Sequence, residues 1–361
     1  MTSQICNTIV LVSLVSFIGA CSQYPAVTAK FETPQVTTHD DAADDPAIWV
    51  DVAQPENSLV FGTDKKSGVH VYNLQGQEIG YTGLGDINNI DLRSQDGVTK
   101  IVASNRTSET IDLWLVSDLR LQEGSKQNKF ALDTQRSVRA NSAINIYGIC
   151  AGNDSELGFI AFVTEDEGPR VEIWQYSDAG LSLLTTFNNG GESEGCVYDD
   201  ENRRLFISEE ENNGVLKAYS IDQALDFSSF TTVDSRKGHI VGDPEGVAIY
   251  KTNDTDGFIV LSSQGDSKFN LYNRKPPYEY VGSFSVKAGL GATRLPIDEI
   301  TTTDGIEVIN LDFNSHFPEG LMVIQDDVNT VDKKSKLKRQ NFKFVSFKDI
   351  KNILSLKTAA D

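Results

Sequence analysis

The chain has 361 residues, and its 52 Asp and Glu outweigh 32 Lys and Arg to give a formal net charge of −20. This balance argues against a nucleic acid partner, because binding nucleic acid depends on cationic side chains that neutralise phosphates. The length suits one large repeat domain or two ordinary ones, and the hydrophobic content of 39% allows a sizeable core. The excess of acid is either a solvated surface or a set of ligands for hard cations.

The N-terminus predicts export. Residues 9–20 form an uncharged apolar run of signal-peptide length, too short for a comfortable membrane span. The run ends in I-G-A-C, which resembles the lipobox of bacterial lipoproteins, although no Lys or Arg precedes it. We therefore expect residues 1–21 to be a signal peptide and Cys21 to be a candidate lipid anchor. The expected location is the periplasm, the outer membrane or the medium of a bacterium.

Cys150 and Cys196 are the two cysteines that lie outside this segment. In an oxidising compartment they can pair, and two buried free thiols are an equally good interpretation. No C-x-x-C occurs, so the sequence does not indicate a zinc cluster.

A strand–turn–strand unit recurs six times along the chain, at spacings of about 40 to 60 residues that are typical of propeller blades. Its first strands begin at Pro46, Asn89, Tyr147, Glu194, Glu245 and Asp304. A polar hairpin turn, a second apolar strand and a third strand with an aromatic residue or its equivalent follow. The pattern predicts an all-β, six-bladed β-propeller over residues 22–361, with residues 26–36 as a closing strand. A β-sandwich would not explain the sixfold return of the same turn chemistry.

Hairpin geometry predicts where the acidic residues meet. The start of the first strand lies beside the end of the second strand, so both positions share one face of every blade. The predicted inner ring at this mouth is Asp45, Asn89, Tyr147, Glu194, Glu245 and Asp304. The predicted ring outside it is Lys65, Lys66, Arg106, Asp166, Glu210, Gln264 and Asp326. Because converging carboxylates repel or take up protons, Asp44, Asp45 and their neighbours indicate a Ca²⁺ site.

Three cations at the same mouth, Lys65, Lys66 and Arg106, indicate an anionic ligand as well. Arginine and lysine match phosphate oxygens as a fork and a point charge, respectively. Phosphate beside several Ca²⁺ ions favours metal-assisted hydrolysis by water. A covalent nucleophile is not indicated, because the chain has no G-x-S-x-G elbow, cysteine-phosphatase loop or R-H-G motif.

Ten short motifs, taken in order, resemble those of the β-propeller phytases, which are calcium-dependent phosphatases of myo-inositol hexakisphosphate (phytate). They are D-D-P-A-I-W-V-D (44–51), D-K-K-S-G (64–68), N-N-I-D-L-R (88–93), A-S-N-R (103–106), Y-G (147–148), S-E-G (193–195), D-P-E-G (243–246), S-S-Q-G (262–265), T-D-G-I-E (303–307) and Q-N-F-K (340–343). The resemblance implies a monomeric enzyme of the 3-phytase type that acts on calcium-phytate and binds several Ca²⁺ ions.

The resemblance also implies roles for individual residues. The catalytic calcium ligands would be Glu194, Asp243, Glu245, Gln264 and Asp304, with Glu210 beside them. Ligands of further calcium sites would be Asp44, Asp45 and the backbone carbonyls of Pro46 and Ile90, and a structural calcium site would include Asp298 and Asn329. The groups that hold substrate phosphates would be Lys65, Lys66, Arg106 and Tyr147.

Two departures from the family pattern stand out. Asp166 occupies the position of a lysine, with Arg170 near enough in sequence to substitute for it, and Val328 occupies the position of a glutamate at the structural calcium site. The first departure bears on substrate affinity and the second on calcium-linked stability. Two alternatives remain open: a calcium-dependent lactonase of similar architecture and a non-catalytic binding propeller.

Overall fold

A computed structural model of the chain describes residues 24–117, 131–133, 137–211, 214–329 and 339–356. The predicted signal peptide, with Cys21, lies outside these residues. Six sheets, arranged around a central channel, correspond one to one to the six predicted repeat units. The predicted six-bladed β-propeller is confirmed.

Two short strands precede the blades: β1 (Ala26–Val27) and β2 (Phe31–Glu32). Blade 1 consists of β3 (Ala43–Trp49), β4 (Leu59–Asp64), β5 (Gly68–Asn73) and β6 (Glu78–Gly83), with a short 3₁₀ turn at Pro55–Asn57. Blade 2 consists of β7 (Ile87–Gln95), β8 (Val98–Asn105), β9 (Thr110–Val116) and β10 (Val138–Asn141). Blade 3 consists of β11 (Ile146–Asp154), β12 (Gly158–Glu165), β13 (Arg170–Ser177) and β14 (Gly180–Asn188).

Blade 4 consists of β15 (Ser193–Asp199), β16 (Arg204–Glu209), β17 (Val215–Ser220) and β18 (Thr231–Ser235). Blade 5 consists of β19 (Pro244–Lys251), β20 (Gly257–Ser263), β21 (Lys268–Asn273) and β22 (Tyr280–Val286), with a 3₁₀ turn at Gln264–Asp266. A small hairpin follows, β23 (Gly289–Leu290) and β24 (Pro296–Ile297). Blade 6 contains β25 (Ile306–Ile309), β26 (Leu321–Asp326) and β27 (Asn341–Ser346), and the chain continues into the helix α1 (Phe347–Leu354).

The N-terminal strands close the ring. Strand β2 pairs antiparallel with β27, with Phe31 opposite Phe344, and so becomes the outer strand of blade 6. Strand β1 pairs parallel with β22 of blade 5. The predicted closing segment, residues 26–36, is therefore confirmed, although it forms two short strands instead of one, and backbone hydrogen bonds join β2 to the last blade.

Glycines at the start of the inner strands set the spacing between blades. A Cβ atom at Gly148 would lie 2.0 Å from the carbonyl oxygen of Glu194, and one at Gly195 would lie 2.2 Å from that of Glu245. Cβ atoms at Gly246 and Gly305 would each lie 2.6 Å from a backbone carbonyl oxygen of the next blade, that of Asp304 and that of Asp44. Since no side chain fits there, adjacent inner strands touch through their backbones, and the acidic residues beside these glycines converge.

A disulfide joins Cys150 of β11 to Cys196 of β15, with a Cα–Cα distance of 5.7 Å. It links the inner strands of blades 3 and 4. Of the two interpretations that the sequence left open, a disulfide and two free thiols, the structure has the disulfide. In the described part of the chain, no helix has the length and apolar character needed to cross a membrane.

Candidate metal and phosphate site

The starts of the inner strands line one mouth of the central channel. Five of the six residues predicted for the inner ring face the same cavity: Asp45, Asn89, Glu194, Glu245 and Asp304. Each stands at or next to the first residues of an inner strand, where hairpin geometry placed it. Side chains that are up to 259 residues apart in sequence (304 − 45) therefore share one opening.

The acidic side chains form a tight cluster. Carboxylate oxygens of Glu194, Glu210 and Glu245 lie within 4.8 Å of one another. The amide of Asn88 donates to Glu194 Oε1 at 2.5 Å, and the amide of Gln264 donates to Asp304 Oδ1 at 2.9 Å. Neutral amides thus hold carboxylates from different blades at defined positions.

Burial and mutual repulsion raise the pKa values of these acids. Burial, followed by the charge of Glu194, raises the pKa of Glu210 to about 9. The pKa of Asp304 rises to about 7, mainly through burial, and burial raises the pKa values of Asp44 and Glu245 well above their usual range. With no cation bound, the site therefore retains protons that ordinary surface carboxylates lose.

Two carboxylate oxygens of the cluster fit cation ligands. Asp44 Oδ2 and Glu210 Oε1 are buried, and neither accepts a hydrogen bond from any described residue. Leaving such an oxygen unsatisfied is costly, whereas coordination of a cation would satisfy it. The side-chain atoms near these two oxygens that could ligate a metal are carboxylate and amide oxygens, which are the ligand type that Ca²⁺ prefers.

Lys65 lies inside the acidic cluster. Its Nζ is 2.9 Å from Asp41 Oδ1, 3.5 Å from Asp44 Oδ1 and 4.0 Å from Asp304 Oδ2. Burial acts to lower the pKa of Lys65, but the carboxylates around it, Asp44 first, raise that pKa above its ordinary value. The ammonium of Lys65 therefore stays charged among the acids, which is consistent with the prediction that the mouth binds an anionic ligand.

Arg106 and Tyr147 lie together at the mouth. The guanidinium of Arg106 lies 5.5 Å from the centre of the Tyr147 ring and donates to Asn88 Oδ1 at 3.2 Å. It also forms an ion pair with Asp166 at 2.8 Å. Asp166 therefore neutralises a predicted phosphate-binding group at the position where the family pattern has a lysine.

Comparison with known proteins gives the family. A protein-family model described as Phytase matches residues 3–361. The chain belongs to the phytase family. A 3-phytase of Bacillus subtilis (strain 168) is 33% identical over 347 residues, which cover 90% of this chain and 84% of the relative. The predicted enzyme class, a hydrolase of the phytase type, is confirmed.

A solved structure shows a similar fold at low identity. The structure of a luciferin-regenerating enzyme matches with a TM-score of 0.54 and 12% sequence identity, covering 86% of this chain and 93% of that chain. At this level of identity the likeness concerns the propeller architecture alone.

The remaining predicted phosphate-binding residues of this phytase-family chain, Lys66 and Arg170, make their polar contacts outside the acidic cluster. The exposed Lys66 donates from Nζ to the carbonyl oxygen of His39 at 2.6 Å. The polar contacts of Arg170 are with Glu165 of the same hairpin, including Nε to Oε1 at 2.9 Å. Arg170 thus neutralises Glu165, and among the described residues it makes no contact that would compensate for Asp166.

Sequence reasoning missed an arginine of the site. Arg236 donates to the carboxylate of Asp243 and, at 2.6 Å, to the carbonyl oxygen of Glu210. It follows strand β18 in a loop, so neither strand ends nor the family motifs pointed to it. The sequence signal for it is its closeness to the D-P-E-G motif, whose first residue, Asp243, follows Arg236 by seven positions (243 − 236).

The residues predicted for a structural calcium site lie in a separate polar cluster. Lys343 Nζ is 2.5 Å from Asp298 Oδ1 and 2.6 Å from Asp326 Oδ2. The amide of Asn329 is 3.4 Å from Glu32 Oε2. Asp326, which was expected in the outer ring of the mouth, is instead buried against Lys343. The single ammonium of Lys343 offsets only part of the negative charge of these carboxylates.

Proposed function

We propose that the protein is a calcium-dependent phosphomonoesterase that hydrolyses phytate to lower inositol phosphates and inorganic phosphate. The observation that carries the proposal is the meeting of buried carboxylates with Lys65 and Arg106 at one mouth of the propeller. Membership of the phytase family and the similarity to a 3-phytase support the choice of substrate.

Calcium would be held by side chains from several blades. The proposed ligands are Asp44, Asp45, Glu194, Glu210, Asp243, Glu245, Gln264 and Asp304, with the carbonyl oxygens of Pro46 and Ile90. When bound, calcium ions would reverse the local charge, polarise phosphoryl oxygens and make water a better nucleophile.

The chain's own cations would bind and orient the phosphate. Lys65 supplies a partly buried point charge, and Arg106 supplies a fork that matches two phosphate oxygens. Tyr147 stays protonated because burial, followed by the charge of Glu194, raises its pKa, so its hydroxyl can donate a hydrogen bond. These groups would stabilise negative charge as the phosphoryl group leaves the inositol oxygen.

Charge explains why calcium would be required. Each phosphomonoester carries a charge of roughly −1.5 to −2 at neutral pH, so six of them carry roughly −9 to −12. The protein has a net charge of −20, and a cluster of its acids, including Glu194, Glu210 and Glu245, lies at the mouth. Without bound cations the substrate would meet repulsion at the place where it must bind.

A calcium titration of phosphate release from phytate tests the proposal. We expect release to rise steeply with calcium and to disappear after thorough chelation. Glu194→Gln should lose most activity, because this carboxylate belongs to the cluster, whereas Glu319→Gln, the same change at a position paired with Lys351, should retain it. Full activity under chelation would contradict the proposal, and hydrolysis of a lactone but not of phytate would favour a lactonase.

We also propose that the protein is exported as a monomer, with Cys21 as a lipid anchor. The apolar run at residues 9–20 supports export, and the Cys150–Cys196 disulfide fits an oxidising compartment. Fractionation of cells that produce the chain and its Cys21→Ser variant tests this. Retention of both forms in the cytoplasm would contradict export, and an unchanged membrane fraction would contradict lipidation.

A further inference from the structure

The Cys150–Cys196 disulfide lies directly beneath the acidic mouth. Cys196 is two residues beyond Glu194, and Cys150 is three residues beyond Tyr147 on the neighbouring inner strand. Both cysteines line the same narrow channel cavity as the carboxylates of Glu194 and Glu245. A covalent bond between two blades therefore lies within three residues of groups that the proposed function uses.

Glu194 and Tyr147 each stand at an irregular step of an inner strand. The register with the second strand shifts at both places, between Ser193 and Cys196 in β15 and at the same level in β11. A residue in such a bulge is left out of the regular ladder of backbone hydrogen bonds. The position of its side chain therefore depends strongly on how the neighbouring blade is held.

Backbone hydrogen bonds join other pairs of blades at this level. The amide of Gly246 in blade 5 donates to the carbonyl oxygen of Asp304 in blade 6 at 2.9 Å, and the amide of Gly305 donates to that of Asp44 in blade 1 at 3.1 Å. Among the residues that the structure describes, the inner strands of blades 3 and 4 share no such backbone hydrogen bond. At this junction the disulfide provides the link.

Repulsion between carboxylates makes this link important for the metal site. Oxygens of Glu194, Glu210 and Glu245 lie within 4.8 Å of one another, and like charges this close favour a wider spacing. Two unbonded thiols must stand further apart than two bonded sulfurs, so cleavage of the disulfide would separate the strands beneath Glu194. A cation binds more weakly when its ligands have to be brought together first, because the protein is then less preorganised.

We propose that Cys150 and Cys196 are positioning residues of the calcium site. Their disulfide holds Glu194 and Tyr147 at the spacing that the bound ions require, and its reduction weakens calcium binding. Reduction by a dithiol breaks the S–S bond and adds two electrons and two protons to give two thiols, while the reductant becomes a disulfide. The inference rests on the proposed function, which places calcium at the mouth.

Coupling between the disulfide and calcium has to be reciprocal. Bound calcium must protect the disulfide from reduction by the same factor by which the disulfide raises calcium affinity. We expect a factor of about ten, which lies within the range typical of coupled sites. The two sides of this coupling can be measured separately.

Calorimetric titration with calcium, at a temperature at which every form is folded, measures the first side. The parent reduced with dithiothreitol and the Cys150→Ser/Cys196→Ser variant should both bind calcium about tenfold more weakly than the oxidised parent. Dithiothreitol should not change the calcium affinity of the double variant, which has no disulfide to reduce. In phosphate release from phytate, the calcium needed for half-maximal rate should rise by the same factor, and excess calcium should restore most of the rate.

Arg203→Gln is the matched control. Arg203 forms a 2.7 Å ion pair with Asp154, the last residue of β11, and so joins the same two blades at the end away from the mouth. The variant should therefore retain the calcium affinity of the parent. A loss as large as that of the cysteine variant would overturn the inference, because contact between the blades in general would then position the site.

Equilibration with mixtures of reduced and oxidised dithiothreitol measures the second side of the coupling. Thiol labelling followed by peptide mass spectrometry gives the fraction of Cys150 and Cys196 in the disulfide. The equilibrium constant should favour the disulfide about tenfold more in saturating calcium than in chelator, which is a shift of about 30 mV for this two-electron couple. A disulfide that stabilises the fold without acting on the calcium site would give the same constant in both conditions.

Two further outcomes separate this inference from the proposed function. Equal calcium affinities of the oxidised and reduced protein, or an equilibrium constant that calcium does not change, would overturn the inference. A protein that binds calcium but releases no phosphate from phytate would refute the proposed function alone. The affinity and redox measurements would still decide the role of the disulfide in that case.

Discussion

Calcium binding should release protons from the acidic cluster at the mouth. Burial raises the pKa of Glu210 to about 9 and that of Asp304 to about 7. At about pH 7, Glu210 is therefore protonated and Asp304 is about half protonated. Because a carboxylate must be ionised to ligate a hard cation, these two groups should release about 1.5 protons, and Glu245, whose pKa is also raised, adds to this number.

Calorimetric titration of metal-free protein with calcium, in two buffers of different ionisation enthalpy, measures the release. Glu210→Gln should lower it by about one proton at about pH 7, because the amide has no proton to lose. Glu319→Gln, far from the mouth, should leave the release unchanged. Raising the pH towards about 10 should reduce the release in the parent protein, since Glu210 is then already ionised.

Identical heats in the two buffers would refute this reasoning. That result would mean that the carboxylates are ionised before calcium arrives, and that neither burial nor mutual repulsion holds protons on them. A release that survives in Glu210→Gln would place the titrating group elsewhere in the cluster.

Three further predictions concern stability and substrate affinity. When a chelator removes metal ions, the melting temperature should fall as the pH rises from about 5 to about 9. The reason is that acids with raised pKa values bind more protons in the native state than in the unfolded state. A melting temperature that rises with pH in calorimetry would contradict this prediction. Asp166→Lys should lower KM for phytate several-fold by releasing Arg106 from its 2.8 Å ion pair, whereas Glu167→Lys, with the same change of charge, should have little effect in the same assay. In a denaturant titration, Lys343→Met should lower the free energy of unfolding by about 3–5 kcal/mol, because it leaves two buried aspartates without their cationic partner. Lys348→Met, which removes an exposed ion pair, should lower it by less than about 1 kcal/mol.

The sequence was sufficient to predict the propeller and its acidic mouth, because both follow from short-range rules. Alternating strands and polar turns return at blade spacing, and hairpin pairing decides which strand ends share a face. Asp45, Glu194, Glu245 and Asp304 could therefore be brought together without coordinates. The segment at residues 26–36, which precedes the first repeat unit, could likewise be predicted to close the ring.

Side-chain contacts other than the pairing of hairpin strands could not be predicted, because they depend on tertiary distances. The Cys150–Cys196 disulfide requires that two inner strands stand side by side at the right height. Asp326 follows the strand-end rule, but a buried lysine from the neighbouring strand pairs with it away from the mouth. Arg236 lies in a loop whose path no periodic pattern describes, so its place beside Asp243 emerges only from the fold.

The acid–glycine pairs at the inner strands connect the packing of the ring to its chemistry. In Glu194-Gly195 and Glu245-Gly246, the glycine lets the next blade's backbone approach to a distance that a Cβ atom would forbid. The same approach forces the acid beside each glycine towards its neighbours in the channel mouth, where burial and repulsion raise the pKa values of Glu245 and Glu210. Replacing Gly195 by alanine should therefore disturb both properties at once: the blades would separate, and the carboxylates would move apart. A Gly195→Ala variant that kept parental stability but lost calcium-linked proton release would show that carboxylate spacing, rather than the integrity of the ring, controls the protons of the site.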